Sequence, residues 1–240
     1  MTPHIRMRLA NKAKGEFRAD GDVLWLYDAI ASDQDEADWF GGVAPQSFMA
    51  ALRATTGPVT LRINSPGGSV FGAQAMVAAM REHPHPITAR IDSLAASAAS
   101  VIAAEAAAVE MAPGAMLMIH KSWGMSIGNA DDMLATASLL EKIDGQIAVS
   151  YARRAGGDVA EFLEQMAAET WFSAEEAVAA GLADRVIGEN RQRPAARWDL
   201  SAFAKAPSLP ETKDEPAPPV QDMRAMRVRQ HAARMAFSQV

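Results

Sequence analysis

The feature that most restricts the fold is a strand–turn–helix unit between residues 59 and 80. Val59-Thr60-Leu61-Arg62-Ile63-Asn64 alternates apolar and polar residues, as a strand with one buried face does. Ser65-Pro66-Gly67-Gly68 breaks that alternation, and Val70 to Met80 continues at a helical period. The pattern recurs on both sides. Val23 to Tyr27 is a β-type run after an Asp20-Gly21 turn signal, Pro86 to Ile91 is another, and Met116 to Ile119 is an apolar run short enough for a buried strand. Helical patterns lie between them at Pro45 to Arg53 and after the small residues near Ala96. Asn129 to Tyr151 is a long helix with Asp131 and Asp132 favourably placed in its first turn, and with Met133, Ala137, Leu140, Ile143, Ile147 and Tyr151 on one face. Ser173-Ala-Glu-Glu176 is a capping box, and Gly181 is a stop for the helix it opens. Strands alternating with helices predict an α/β domain.

The composition changes near residue 188. Residues 191–219 hold six of the chain's 13 prolines, a density that does not support a packed core. Residues 1–188 are therefore expected to form the folded domain, and residues 189–240 a Pro-rich linker and tail, expected to be disordered. Arg224, Arg227, Arg229 and Arg234 stand among Met223, Met226, Met235 and Phe237, a pattern of either a short amphipathic docking helix or a frayed tail. The formal charge of −6 argues against a dedicated nucleic-acid binder. No apolar run reaches the length of roughly 18 residues that a membrane span needs, and the N-terminus lacks a secretory signal pattern. A cytoplasmic protein is expected. The absence of cysteine excludes disulfides, thiolate–metal sites and cysteine nucleophiles. No metal-ligand cluster is visible, and no cofactor is implied.

Three segments carry candidate chemistry. Gly67 and Gly68 permit backbone geometry closed to other residues, and their N–H groups can converge on a developing oxyanion. Ser93 to Ser100 has seven small residues in eight, so another segment can approach its backbone closely. A serine opening a helix there would sit beside unpaired N–H groups. His120 ends the apolar strand, where a rigid element meets an open edge; the other four histidines lie in a His-Pro-His-Pro loop, near the N-terminus and in the tail. Each segment alone has a structural explanation: a plain turn, tight alanine packing or a core histidine. Together they supply a hydroxyl, an imidazole base and oxyanion donors, the set that acyl transfer needs.

In order and spacing, Ile63-Asn-Ser-Pro-Gly-Gly68, Ala95-Ala-Ser97, Met118-Ile-His120 and Phe172-Ser-Ala-Glu-Glu-Ala177 with Gly181-Leu-Ala-Asp184 resemble the ClpP family of serine peptidases. The resemblance runs from about residue 20 to 188. Ile91 to Ser100, Glu169-Thr-Trp171 and Trp198-Asp-Leu-Ser201 resemble the branch of ClpP-like head-maturation (prohead) proteases of tailed phages. The resemblance implies a ClpP/crotonase-like fold with a protruding long helix, Ser97 as nucleophile, His120 as general base, and the amides of Gly68 and Ala98 as oxyanion hole. The family's third residue, an aspartate two positions before Phe172, is Thr170 here. A threonine can orient the histidine but cannot stabilise imidazolium as a carboxylate does. Glu169 is adjacent but would point the opposite way in an extended segment.

The expected function is a serine endopeptidase processing capsid or scaffold proteins in phage head maturation, in the host cytoplasm and in association with the procapsid. The alternatives are a non-catalytic assembly protein on the same fold, motivated by Thr170 and the extension, and a general ClpP-like peptidase degrading unfolded proteins with an ATPase partner. A serine–lysine dyad has only six lysines to draw on, and the side chain of Lys121, directly after His120, faces away from the imidazole along a continuing strand. An enoyl-CoA hydratase would need motifs that the chain lacks. The resemblance also implies a ring-forming homo-oligomer built through the helix 129–151, acting on protein or peptide substrates. No Walker-type phosphate loop is present, and neither nucleic acid nor membrane is an expected partner.

Overall fold

The computed structural model describes residues 7, 10, 11, 15–188 and 198–207. Among them run eight strands and seven helices: β1 (Glu16–Asp20), β2 (Val23–Tyr27), α1 (Gln34–Phe40), α2 (Pro45–Ala54), β3 (Val59–Ser65), α3 (Val70–Glu82), β4 (Ile87–Ala96), α4 (Ala98–Ala104), β5 (Ala108–Met111), β6 (Met116–Ile119), α5 (Ala130–Ala155), α6 (Val159–Ala167), β7 (Thr170–Ser173), α7 (Ala174–Ala179) and β8 (Arg185–Val186). The main sheet has the order β1-β2-β3-β4-β5-β8, and β6 and β7 continue from the far end of β4. Pairing from β2 to β8 is parallel, β1 and β2 form an antiparallel hairpin, and β7 runs antiparallel to β6. This is the α/β architecture that the alternation of strands and helices predicts.

β4 is the hinge of the sheet. β3 lies along one edge of β4, while on the other edge Thr88–Ile91 pairs with β5 and Leu94–Ala96 with β6. The β3–β4 register shifts between Ile63 and Ser65, where Ser65 comes opposite Ala95. Such an irregularity bends a strand and re-aims the residues at its end. On β4 the re-aimed residue is Ser97, and on β3 it is the Pro-Gly-Gly turn.

The period-2 rule separates the two faces. Leu61, Ile63, Ala89, Ile91, Ala95, Leu117 and Ile119 face a core filled from the helices by Phe48, Met76, Ile102, Ile147, Tyr151 and Phe162. On the opposite face, the Asp92 carboxylate accepts both Nε and an Nη of Arg62 at 2.7 Å and the Tyr27 hydroxyl at 2.6 Å. Farther along that face, Leu94, Ala96, Met116 and Met118 form a second apolar cluster with Met7, Trp198, Leu200 and Phe203. Residues 198–206 belong to the same compact unit as the sheet. The Pro-rich composition alone places this stretch in the linker, but its three large apolar side chains are buried. The Arg- and Met-containing segment 222–239 lies outside the described residues.

α5 is longer than its apolar stripe suggests. Asn129 and Asp132 close a capping box at its start, and Gly156, at φ 70°, ends it in the left-handed region. Ile147 and Tyr151 are buried, but Met133 and Ala137 are exposed. Only the C-terminal half of the stripe therefore packs on the domain, and the N-terminal half protrudes from it. Among the described residues, no helix is long and apolar enough to cross a membrane.

Candidate active site

Ser97 occupies the sharp corner between β4 and α4. Its backbone is at φ 54° and ψ −126°, unusual for a residue with a side chain. Backbone strain of this kind costs on the order of 1–3 kcal/mol and persists only where the surroundings over-determine it. Here they do. The Ser97 N–H donates to the Met118 carbonyl at 2.9 Å. The Ser100 hydroxyl lies 2.6 Å from the Ser97 carbonyl, 2.9 Å from the Met118 carbonyl and 2.8 Å from the Tyr151 hydroxyl. Burial pushes the Tyr151 phenol up, so it stays protonated and bound in this network.

His120 immediately follows β6, the strand that pairs with the end of β4. Its Nε2 is 2.7 Å from Ser97 Oγ. The two residues come from adjacent parallel strands, so the sheet itself sets their separation. Beyond His120, the buried Asp144 of α5 accepts the Ser122 N–H at 2.7 Å and the Ser122 hydroxyl at 2.6 Å, fixing the loop that leaves the site.

The glycine turn packs directly against this corner. A Cβ on Gly67, at φ 89°, would come within 2.8 Å of Ser97 Cβ and 2.5 Å of the Ala96 carbonyl oxygen. A Cβ on Gly68, at φ 146°, would stand 2.1 Å from the Ile30 carbonyl oxygen. Ile30 clamps the turn from its other side: its N–H donates to Gly67 O and its carbonyl accepts from Ser69 N–H, both at 2.8 Å. Ala98 is the first residue of α4, where a helix leaves its N–H groups without intrahelical partners. Gly67, Gly68 and Ser97 line a cavity of about 360 Å³ with Phe71, Leu140 and Phe203.

The structure thus brings Ser97, His120, Gly68 and Ala98 together. Thr170 lies opposite Ile119 on the neighbouring strand, and its hydroxyl donates to the Gln165 carbonyl at 2.7 Å. Glu169 departs from the extended geometry expected of it. Its φ is 50°, and it forms the turn before β7. Its carboxylate accepts the N–H groups of Ala204 at 2.8 Å and Lys205 at 2.6 Å, and Trp171 Nε1 at 3.2 Å. Partial burial alone would raise the Glu169 pKa. The Lys205 and Ala204 amides, the Trp171 indole and the charge of nearby His120 outweigh it and hold the carboxyl below its ordinary value. Lys121 is exposed. Among the described residues, no group of three or more His, Asp or Glu is placed to hold a metal ion.

Sequence reasoning does not single out Ile30, Ser100, Tyr151 or Asp144. Ile30 and Asp144 lie outside any motif; Ser100 closes the small-residue segment and Tyr151 ends the α5 stripe, but the contact between their hydroxyls, 51 residues apart, leaves no local signal. Asp144 leaves one clue, a lone carboxylate between Ile143 and Ile147 in the packed part of the stripe.

A mostly parallel sheet that delivers a serine at a strand–helix corner and a histidine from the next strand has the mixed α/β fold of ClpP-type proteins. The model of one family, Clp protease, matches residues 37–190. The chain belongs to the Clp protease family. Among its relatives is the ATP-dependent Clp protease proteolytic subunit of Streptococcus equi subsp. equi, 29% identical over 159 residues that cover 65% of this chain and 81% of the relative. The protein of the same description from Leuconostoc citreum is 29% identical over 188 residues, covering 76% of this chain and 94% of the relative.

Proposed function

We propose that the chain is a serine endopeptidase acting through an acyl-enzyme on Ser97. The observation that carries this reading is the 2.7 Å approach of His120 Nε2 to Ser97 Oγ. A neutral imidazole at that distance can take the hydroxyl proton as oxygen attacks a scissile carbonyl carbon. The carbonyl π electrons move to oxygen, and the N–H groups of Gly68 and Ala98 receive that charge. The tetrahedral intermediate collapses, the C–N bond breaks, and the imidazolium returns its proton to the leaving amine. Water then repeats the sequence on the ester, His120 again accepting and returning the proton. Thr170 takes the third position as a hydroxyl, where a carboxylate is usual, and the Glu169 carboxylate is the nearby group that interacts with the charge of His120.

The substrate class we infer is capsid or scaffold protein in phage head maturation, which rests on the segments 91–100, 169–171 and 198–201. Cleavage of a cognate capsid protein by the wild type, and its loss in Ser97→Ala, are the expected results. Unchanged processing by that variant would remove the assignment. The names of the bacterial relatives favour a second reading, a general peptidase subunit serving an ATPase. Degradation of an unfolded protein only when a Clp-type ATPase is added would favour it. In either case we infer a ring-forming homo-oligomer. The protruding half of α5 and the loop before it expose Met125, Ile127 and Leu134, apolar surface that a neighbouring subunit would cover.

A further inference from the structure

Residues 198–206 form a strap across the second face of the sheet, tied at both ends. At its start, Trp198 Nε1 donates to the fully buried Asn64 Oδ1 at 2.9 Å, just ahead of the Pro-Gly-Gly turn. Buried Asn11 grips the next residue reciprocally: its Oδ1 accepts the Asp199 N–H at 2.7 Å, and its Nδ2 donates to the Asp199 carbonyl at 2.9 Å. At the other end, the Glu169 carboxylate takes the amides of Ala204 and Lys205. These ties fix the single residue between them that reaches the site. The ring of Phe203 meets the His120 imidazole edge-on, with centroids 5.3 Å apart at 83°, and meets Trp171 at 5.9 Å and 75°.

A strap that only covered the sheet would direct its apolar side chains at Leu94, Ala96 and Met118. Trp198 and Leu200 lie in that cluster. Phe203 also lines the cavity that contains Ser97 and the two glycines. A large, rigid ring held from both sides beside a nucleophile sets how much room the acyl group has. We propose that Phe203 is a specificity-determining residue: supplied by the C-terminal strap, it walls one side of the acyl pocket at Ser97 and limits the size of the apolar group admitted. The proposal rests on Ser97 being the nucleophile.

The test uses the full chain as wild type, Phe203→Ala, Phe203→Leu and Phe203→Trp. One portion of each is labelled with a fluorophosphonate, and a separate, unlabelled portion is assayed on p-nitrophenyl esters from acetyl to decanoyl. A few methylenes in an apolar pocket discriminate by about tenfold or more. The decanoyl-to-butyryl ratio of kcat/KM should therefore rise about tenfold in Phe203→Ala, rise less in Phe203→Leu, and fall below wild type in Phe203→Trp. If far-UV circular dichroism shows the alanine variant unfolded, the opposite shifts of the leucine and tryptophan variants decide. Variants that react with the fluorophosphonate but whose unlabelled portion keeps the wild-type ratio overturn the wall and leave the nucleophile standing. A gain of equal size at every chain length also overturns it, since the strap would then be a cover and not a wall. Wild type that resists labelling overturns the Ser97 reading itself, and the wall with it.

Discussion

Replacing Gly68 by alanine should damage both the fold and the chemistry, by amounts that the geometry bounds. The added Cβ would lie 2.1 Å from the Ile30 carbonyl oxygen and 2.8 Å from the Ile30 nitrogen, both backbone atoms without a flexible end to swing aside. The turn must therefore separate from Ile30. That movement breaks the Ile30 N–H to Gly67 and Ser69 N–H to Ile30 hydrogen bonds, each worth about 1 kcal/mol net. Holding alanine at φ 146° adds strain of about 1–3 kcal/mol. The sum is roughly 3–5 kcal/mol, and at about 2–4 °C per kcal/mol for a domain of this size the midpoint falls by roughly 6–20 °C. Misdirecting one oxyanion donor slows acylation by about 10²–10³-fold. Gly145→Ala is the matched control. Its Cβ meets nothing within 4 Å, and helix propensity stabilises alanine there by about 0.5–1 kcal/mol. Thermal unfolding and the rate of fluorophosphonate labelling read the two effects separately. A Gly68→Ala protein with wild-type midpoint and wild-type labelling rate would refute the packing of the turn on Ile30 and its catalytic use.

Asp92→Ala leaves Arg62, 14% exposed in its side chain, without its bidentate partner. Breaking a buried pair on one side costs about 3–5 kcal/mol, which chemical denaturation will show as a lower midpoint. Asp144→Ala removes the single carboxylate oxygen that accepts both the N–H and the hydroxyl of Ser122, leaving the hydroxyl the Leu140 carbonyl at 3.3 Å, and should destabilise by about 2–4 kcal/mol while slowing labelling at Ser97. Asp144→Asn should retain part of each. Acid should loosen the strap. The folded-state pKa of Glu169 is depressed, so its contribution is full above the ordinary glutamate value and is lost as pH falls through the lower folded value. Hydrogen exchange of residues 198–206 should therefore stay constant from neutral pH down to the ordinary glutamate range, after correction for intrinsic rates. It should accelerate below that range, and Glu169→Gln should abolish the pH dependence.

The parts legible from sequence are those with a local cause. Val59 to Asn64 reads as a strand because its own alternation matches a half-buried face, and Met116–Ile119 matches its observed strand at both ends. Ser97 and His120 stand at element ends, where chemistry needs them. The parts that sequence alone misplaces have distant causes. The small residues predict a helix opening near Ala96, and it opens at Ala98 because pairing with β6 holds Leu94–Ala96 as strand. The stripe on α5 predicts burial along its length, but among the described residues only its C-terminal half packs on the domain. Glu169 reads as extended because no local signal marks a left-handed glutamate; the amides of Ala204 and Lys205, 35 and 36 residues away, are what its carboxylate meets. The prolines around the strap hide it. Composition describes an average, and Trp198, Leu200 and Phe203 are the exceptions that decide where the segment packs.

The central claim is that Ser97 is a nucleophile activated by His120. Intact-mass analysis after fluorophosphonate treatment tests it most directly. The wild type should gain one adduct that peptide mapping places on Ser97. Ser97→Ala should gain none, and His120→Ala should react slower by roughly 10³-fold or more. Folded wild-type protein that stays unlabelled, or an adduct that persists in Ser97→Ala, would contradict it.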